Sequence, residues 1–184
     1  MDDFGAVLRG SWGVGCWCMF PRLGGGEGQR MGSQQRRAAM TRLACRRRAP
    51  GLLAFDGDEA VGWIAIAPRT EYRRIEASDA TPRVDDEKVW VIPCITVRPS
   101  ARGRGIALAM IRAAVAFAGK HGAPSVEAYP RAGAKRTKDD NAFFGTEPLF
   151  RRAGFKVIRK PLKKRGNRVA RVTMRKNCSR RRGE

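Results

Sequence analysis

Val89-Trp90-Val91-Ile92-Pro93-Cys94-Ile95-Thr96-Val97-Arg98-Pro99-Ser100-Ala101-Arg102-Gly103-Arg104-Gly105-Ile106-Ala107 is the stretch on which the reading of this chain turns. Its first nine residues are nearly all apolar, the pattern of a central strand buried on both faces. Pro93 has no N–H to give to a ladder, so a bulge or a splay is expected at that point. Residues 98–105 read as a turn. From Ile106 to about Lys120, Ile106, Met110, Ile111, Ala114, Val115 and Ala118 fall on one face of a helix. Gly122 and Pro124 end it, and Ser125-Val126-Glu127-Ala128-Tyr129 reads as the next strand. Strand, helix and strand at this spacing predict a right-handed βαβ unit with parallel strands.

Outward from that unit the pattern changes to shorter elements. On the N-terminal side, Leu52–Phe55 and Ala60–Ile66 flank Asp56-Gly57-Asp58, a hairpin signal. Residues 68–87 read as a polar loop with room for a short helix. Ser33 is placed to cap a basic helix over 34–48, stopped by Pro50. Residues 1–30 are rich in glycine and predict little regular structure, except for the compact apolar knot at 15–21. On the C-terminal side, 131–141 is a polar loop. Thr146 and Pro148 open a short helix that stops at Gly154. Strands are expected over 155–158 and 168–174, joined by a basic turn at 163–167. One domain is expected: an N-terminal segment, 1–49, packed into it, a core at 50–175 and a basic tail at 176–184.

The 184 residues carry 38 Lys and Arg against 17 Asp and Glu, a net charge of +21. Such a charge first suggests an anionic partner. Its distribution argues otherwise, because +12 of it lies in residues 156–184. A basic nucleic-acid or ribosome-associated module is therefore the lesser alternative. No apolar run is long enough to span a membrane, and no basic-then-apolar leader opens the chain. Cys16, Cys18, Cys45, Cys94 and Cys178 are an odd number of cysteines, which fits free thiols in a reducing cytoplasm better than a disulfide framework. Zinc is not expected, since the only histidine is His121 and no four-ligand spacing is present.

The segment that carries chemistry is Arg102-Gly103-Arg104-Gly105-Ile106-Ala107. Glycines between a buried strand and a helix let backbone amides approach a ligand. Those amides, with the positive end of the helix, form an anion site suited to a diphosphate. It is not a dinucleotide fingerprint, because Leu108 stands where a third glycine is needed, nor a Walker loop, because no Gly-Lys-Ser/Thr follows.

With these residues the chain resembles the GNAT (acyl-CoA N-acyltransferase) superfamily. Arg102, Gly105 and Ala107 match its Gln/Arg-x-x-Gly-x-Gly/Ala hallmark, after the lead-in Val97-Arg98-Pro99. Phe150-Arg151-Arg152-Ala153-Gly154-Phe155 matches a second signature, aromatic-x-x-x-Gly-Phe. The resemblance covers about residues 50–175. It implies an α/β (α+β) fold with a mixed, mostly antiparallel central sheet, a splayed parallel strand pair and flanking helices. It also implies acetyl-CoA as co-substrate and an N-acetyltransferase activity toward a small-molecule or peptide amine, by direct attack in a ternary complex. Relatives are commonly homodimers. The amides of Arg102, Gly103, Arg104, Gly105, Ile106 and Ala107 would hold the CoA diphosphate. The edge of the strand at Ile95 and Val97 would pair with the pantetheine arm.

Two departures bear on catalysis. Where many members carry a tyrosine that protonates the leaving thiolate, this chain has Phe150, and no carboxylate lies between Val89 and Val97. Glu127, as base, and Tyr129, as acid, are the substitute candidates, alternating onto one face of the next strand. The plainer readings are a salt-bridging carboxylate and a packed aromatic. Cys94 is a candidate for a nucleophilic or substrate-shaping role, against that of a small buried hydrophobe. Cys16, Trp17 and Cys18 are candidates for the acceptor pocket. His121 at a helix end is explained by the dipole alone. Asp139 and Asp140 could attract a cationic acceptor. The missing acid and base also keep open a catalytically silent acyl-CoA-binding protein.

Overall fold

The computed structural model describes residues 2–8, 15–132, 142–162 and 170–178. The hairpin forms as expected: β1 (Gly51–Asp56) pairs antiparallel with β2 (Glu59–Ala65), with Gly57 in the left-handed region at φ +58°. A two-residue strand, β3 (Ala67–Pro68), follows directly. The apolar run at 89–97 does not stay one strand. It divides into β4 (Trp90–Ile92) and β5 (Ile95–Val97), broken at Pro93-Cys94, and the two halves enter different sheets.

β5 completes a three-stranded antiparallel sheet in the order β1-β2-β5. β4 belongs to a second sheet in the order β3-β4-β6-β8-β7, with β6 (Ser125–Ala128), β7 (Lys156–Arg159) and β8 (Thr173–Asn177). β4 and β6 run parallel, joined by the long helix, and the other described pairs are antiparallel. This is the mixed, mostly antiparallel sheet with one splayed parallel pair.

Six helices flank the sheets among the described residues: α1 (Asp2–Leu8), α2 (Glu27–Arg30), α3 (Ser33–Ala44), α4 (Arg73–Glu76), α5 (Ile106–Lys120) and α6 (Glu147–Arg152). α5 and α6 share one face. Met110, Ile111, Ala114, Val115 and Ala118, the stripe read from the sequence, pack with Phe150 and Phe155 against Ile64, Ile92 and Ile95. Burying a side chain such as Ile111 or Phe150 completely stabilises the fold by about 1.5–3 kcal/mol. The N-terminal segment covers the opposite face of the first sheet, where Phe4, Val7, Leu8, Cys18, Met19 and Met40 meet Trp63 and Ala65. A third cluster places Tyr72 and Ile75 over Val89, Val91 and Tyr129. Among the described residues no helix is long and apolar enough to cross a membrane.

Several boundaries differ from the sequence reading. α3 stops at Ala44, four residues short of the expected end, and Gly32 rather than Ser33 caps it, with its N–H donating to Gln35 Oε1 at 2.9 Å. The Ser33 hydroxyl instead accepts from Trp17 Nε1 at 3.0 Å. Arg168 and Val169 lie outside the described residues; the last described strand begins at Thr173, with 170–172 outside it, and runs to Asn177. The Cys178 N–H then bonds the Pro124 carbonyl at 2.9 Å, so the core takes in the first residues assigned to the tail. The basic turn at 163–167, the loop positions Asp139 and Asp140, and residues 179–184 lie outside the described residues.

Two glycines set how closely the layers approach. A Cβ at Gly51 would lie 2.3 Å from the Ile64 carbonyl oxygen and 2.5 Å from the Trp63 ring, and the carbonyl is backbone that cannot swing aside. A Cβ at Gly62 would meet Met110 Sδ at 2.9 Å, the flexible end of a side chain. Gly51→Ala is therefore expected to destabilise the protein by roughly 2–3 kcal/mol, and Gly62→Ala by about 1 kcal/mol, in urea unfolding. Equal effects would contradict this packing.

Candidate active site

The break at Pro93 makes the site. β4 follows β6 in parallel register as far as Ile92↔Ala128, and there β5 turns away to pair with β2. The Cys94 carbonyl accepts from Ala65 N–H at 3.0 Å, Thr96 stands opposite Trp63, and Arg98 N–H donates to the Val61 carbonyl at 2.9 Å. Residues 94, 96 and 98 thus turn their polar groups toward β2. By alternation the N–H and C=O groups of Ile95 and Val97 point the other way, into the splay. The Val97 carbonyl takes the Arg102 Nε at 3.1 Å.

The loop after β5 makes a 3-10 turn at Pro99–Ala101, and residues 102–105 are exposed. Gly103 and Gly105 adopt φ +81° and +79°, conformations that side chains disfavour, and a Cβ on either would meet no atom within 4 Å. Gly105 caps α5, and the first intrahelical bond is Ala109 N–H to the Gly105 carbonyl at 3.1 Å. The amides of Ile106, Ala107 and Leu108 precede that bond and are the orphan donors of the helix start. An open cradle lined with amides at the positive end of a 15-residue helix suits a diphosphate. Arg104 does not stand free for it. Its guanidinium grips Asp56 at 2.6 and 3.1 Å, and this pairing holds the Asp56 carboxyl below its usual range.

Glu127 and Tyr129 do lie together, in a closed arrangement. Glu127 is 1% exposed and Tyr129 0%. The Tyr129 hydroxyl donates to Glu127 Oε2 at 2.6 Å and accepts from Arg69. Arg175 donates to Glu127 Oε1 at 2.7 and 3.1 Å, and Arg69 Nη1 lies 3.6 Å from Oε2. Burial, and next the charge of Glu127, push the Tyr129 hydroxyl well above its usual range. Both oxygens of Glu127 are thus satisfied, and the carboxylate is salt-bridged, the plainer of the two sequence readings.

On the other face, Cys94 and Thr96 point toward the N-terminal segment, their polar atoms 4.0 Å apart. Cys18 reaches the same spot, accepting from Trp63 Nε1 at 3.1 Å. Trp17 and Cys18 join the apolar cluster against which Cys94 packs, and Cys16 precedes them, with Cys16 and Trp17 half-buried. Phe150 is wholly buried, edge-on to Phe155 at 5.1 Å, so the position presents no polar atom to the splay. Among the described residues no group of three or more His, Cys, Asp or Glu could hold a metal ion.

The family model described as the Acetyltransferase (GNAT) family matches residues 21–140. The chain belongs to the GNAT acetyltransferase family. Solved structures share this fold. A ribosomal-protein-alanine N-acetyltransferase from Brucella melitensis is similar at 19% identity over 80% of this chain and 79% of that one, with a TM-score of 0.53. A protein of Pyrococcus horikoshii is similar at 20% identity over 96% and 88%, TM-score 0.51. A chain of the NatC complex, solved bound to Gag peptide and CoA, is similar at 12% identity over 77% and 79%, TM-score 0.51. No curated protein matches the chain in sequence.

Within this GNAT fold, sequence reasoning missed Arg69 and Arg175. Arg69 is 2% exposed and holds Glu76 at 2.5 Å and the Ile75 and Thr81 carbonyls at 3.3 and 2.7 Å, besides Tyr129. It ties the 69–81 segment to the end of β6. The only signal was an arginine next to an apolar strand, indistinguishable from the other arginines nearby. Burial pushes the Glu76 carboxyl up, but hydrogen bonds from Arg83 and Arg69 outweigh it and hold the group below its ordinary 4.5. A carboxyl with a lowered folded pKa contributes stability that is complete above its unfolded value and lost as pH falls through the folded one. Stability is thus expected to drop as pH falls below about 4.5, and Glu76→Gln to flatten that slope in urea titrations across this range. An unchanged slope would show that Glu76 is not so held.

Proposed function

We propose that this protein is an acetyl-CoA-dependent N-acetyltransferase that moves an acetyl group to a primary amine by direct attack in a ternary complex. The observation that carries this reading is the open turn at Gly103–Gly105, set at the start of α5 and beside the free strand edge at Ile95 and Val97. Both halves suit coenzyme A. The amides from Arg102 to Ala107 donate to the diphosphate, with Arg102 released from Val97 to add charge, while the amide-rich pantetheine arm extends along the splay as a further strand. The family match and the CoA bound in the NatC neighbour support the choice of donor.

On this reading the thioester lies near Pro93-Cys94, where the strands part. The acceptor approaches from the face built by Cys94, Cys16, Trp17 and Cys18. The amine nitrogen, as the free base, attacks the thioester carbonyl and the carbonyl oxygen takes up charge facing strand-edge amides; the C–S bond then breaks, CoA leaves as the thiolate, and the new amide nitrogen gives its extra proton to water. No acyl-enzyme is needed, so Cys94 shapes the pocket. Glu127 and Tyr129 hold the end of β6 at the splay rather than exchange protons with substrate, because their polar atoms are sealed and mutually satisfied.

The decisive experiment follows release of free CoA from acetyl-CoA with a panel of amines, and acceptor-dependent release is expected. Binding of acetyl-CoA with no release above background would leave the silent-binder reading in its place. Gly105→Ala puts a methyl group into the cradle and strains the cap. It is expected to raise KM for acetyl-CoA about tenfold and leave KM for the amine unchanged. Tyr129→Phe separates positioning from chemistry. A positioning role predicts kcat within about tenfold of the parent and the same pH profile, whereas loss of a general acid would lower kcat by about a hundredfold or more.

A further inference from the structure

The acceptor face holds a pair of thiols that direct acyl transfer leaves unused. Cys94 sits at the strand break and Cys18 meets it from the N-terminal segment. Trp63, whose indole N–H bonds the Cys18 sulfur, is the register partner of Thr96, whose hydroxyl neighbours the Cys94 sulfur, so both thiols lie on the same face of the first sheet. Cys94 packs against the apolar cluster to which Cys18 belongs. The hydrogen bond between the two thiols, and next burial, hold Cys18 well above the usual thiol range. Every described cysteine is free.

The backbone that delivers Cys18 is unusual. Trp17 and Cys18 have φ of 47° and 53°, two consecutive residues with side chains in the left-handed region, where crowding at Cβ is unfavourable. The turn holds because the Trp17 indole is tied to Ser33, Arg36 clasps the Gly15 and Gly28 carbonyls, and Cys18 is buried.

We propose that Cys18 and Cys94 are a site of reversible disulfide formation, which staples the N-terminal segment to the break between β4 and β5 and closes the acceptor side of the splay. The closing of the acceptor side rests on the acetyltransferase reading; the disulfide itself does not. The oxidant is a peroxide. Cys94, half-exposed, meets it first: its thiolate attacks one peroxide oxygen, the O–O bond breaks, and Cys94 becomes a sulfenic acid as water leaves. Cys18, only 3% exposed, is shielded from the oxidant but not from Cys94. Its sulfur attacks the Cys94 sulfur, the S–S bond forms, and the sulfenic oxygen departs as a second water with the Cys18 proton. The two sulfurs give up two electrons and the peroxide is reduced to two waters. The Cys94 hydrogen bond and burial raise the Cys18 thiol pKa, which slows this step, and proximity offsets it. A small thiol reverses the reaction by exchange.

The test treats the full-length protein with hydrogen peroxide, blocks remaining thiols and maps cross-linked peptides by fragment-ion mass spectrometry. A Cys18–Cys94 link is expected in the monomer, removed by dithiothreitol. A Cys16–Cys18 link, or Cys94 driven to sulfinic acid with no link, would overturn the site. In parallel, the ratio of oxidised to reduced acetyl-transfer activity is measured. It is expected to fall about tenfold or more in the parent and in Cys45→Ser, to recover with reductant, and to stay near one in Cys18→Ser, each protein compared with its own reduced form. A mapped link that leaves the ratio near one would overturn the closing of the acceptor side. A protein inactive in both states would count against the acetyltransferase reading, while the peptide map still decides the disulfide, even if the serine variants fail to fold.

Discussion

A proline without an N–H, placed in the middle of a buried strand, is the constraint on which the rest of this structure depends. β4 and β6 are held together by their parallel ladder up to Ile92↔Ala128, and the ladder ends at Pro93, which has no N–H to donate to any neighbouring strand. The chain resolves this by moving to another partner. Ala65 engages the Cys94 carbonyl and the strand continues as β5 against β2. The two-residue step also shifts the alternation, so that Ile92 and Ile95 face α5 while Cys94 faces the N-terminal segment. One local defect thereby produces a wedge between strands, a free edge of backbone polar groups, and a free thiol at the apex.

A wedge must be kept open from both sides. On the β5 side, Trp63, Cys18 and the N-terminal segment brace the first sheet. On the β6 side the brace is ionic: Arg69 and Arg175 converge on Glu127, with Tyr129 closing the set. Such buried ion sets contribute little net stability, because desolvation consumes most of the Coulombic gain, but removing one member leaves an unpaired charge and is strongly unfavourable. Their effect is to hold one arrangement and exclude others. It ties the 69–81 segment, β6 and β8 to one another at the level where the strands part.

The same accounting changes the meaning of the basic composition. In the body of the protein Arg22, Arg48, Arg69, Arg73, Arg83, Arg98, Arg104, Arg151 and Arg175 all meet carboxylates of this chain. Much of the arginine content therefore works inside the fold, clamping loops to strands, rather than presenting a uniform basic face. Arg104 shows this: the sequence reading sets it beside the expected phosphate site, and the folded chain pairs it with Asp56 on the β1–β2 turn.

What the sequence alone determined is the part of the fold governed by local rules. Alternation, helical periodicity and turn chemistry located the hairpin, the long helix, the strand break and the glycine cradle, because each depends on residues close together along the chain. The family resemblance followed from the same short motifs. Tertiary structure alone decided which partners the charged and reactive groups meet. Glu127 and Tyr129 share a face in any strand, but only the packing of Arg69, some 60 residues away, and of Arg175, some 48 away, turned them into a sealed ion set. Cys18 and Cys94 are likewise far apart in sequence, and only the left-handed turn at Trp17-Cys18, laid over Trp63, brings their sulfurs together. Backbone preference is local and can be read along the chain; electrostatic and thiol chemistry depends on neighbours in space, which folding alone assigns.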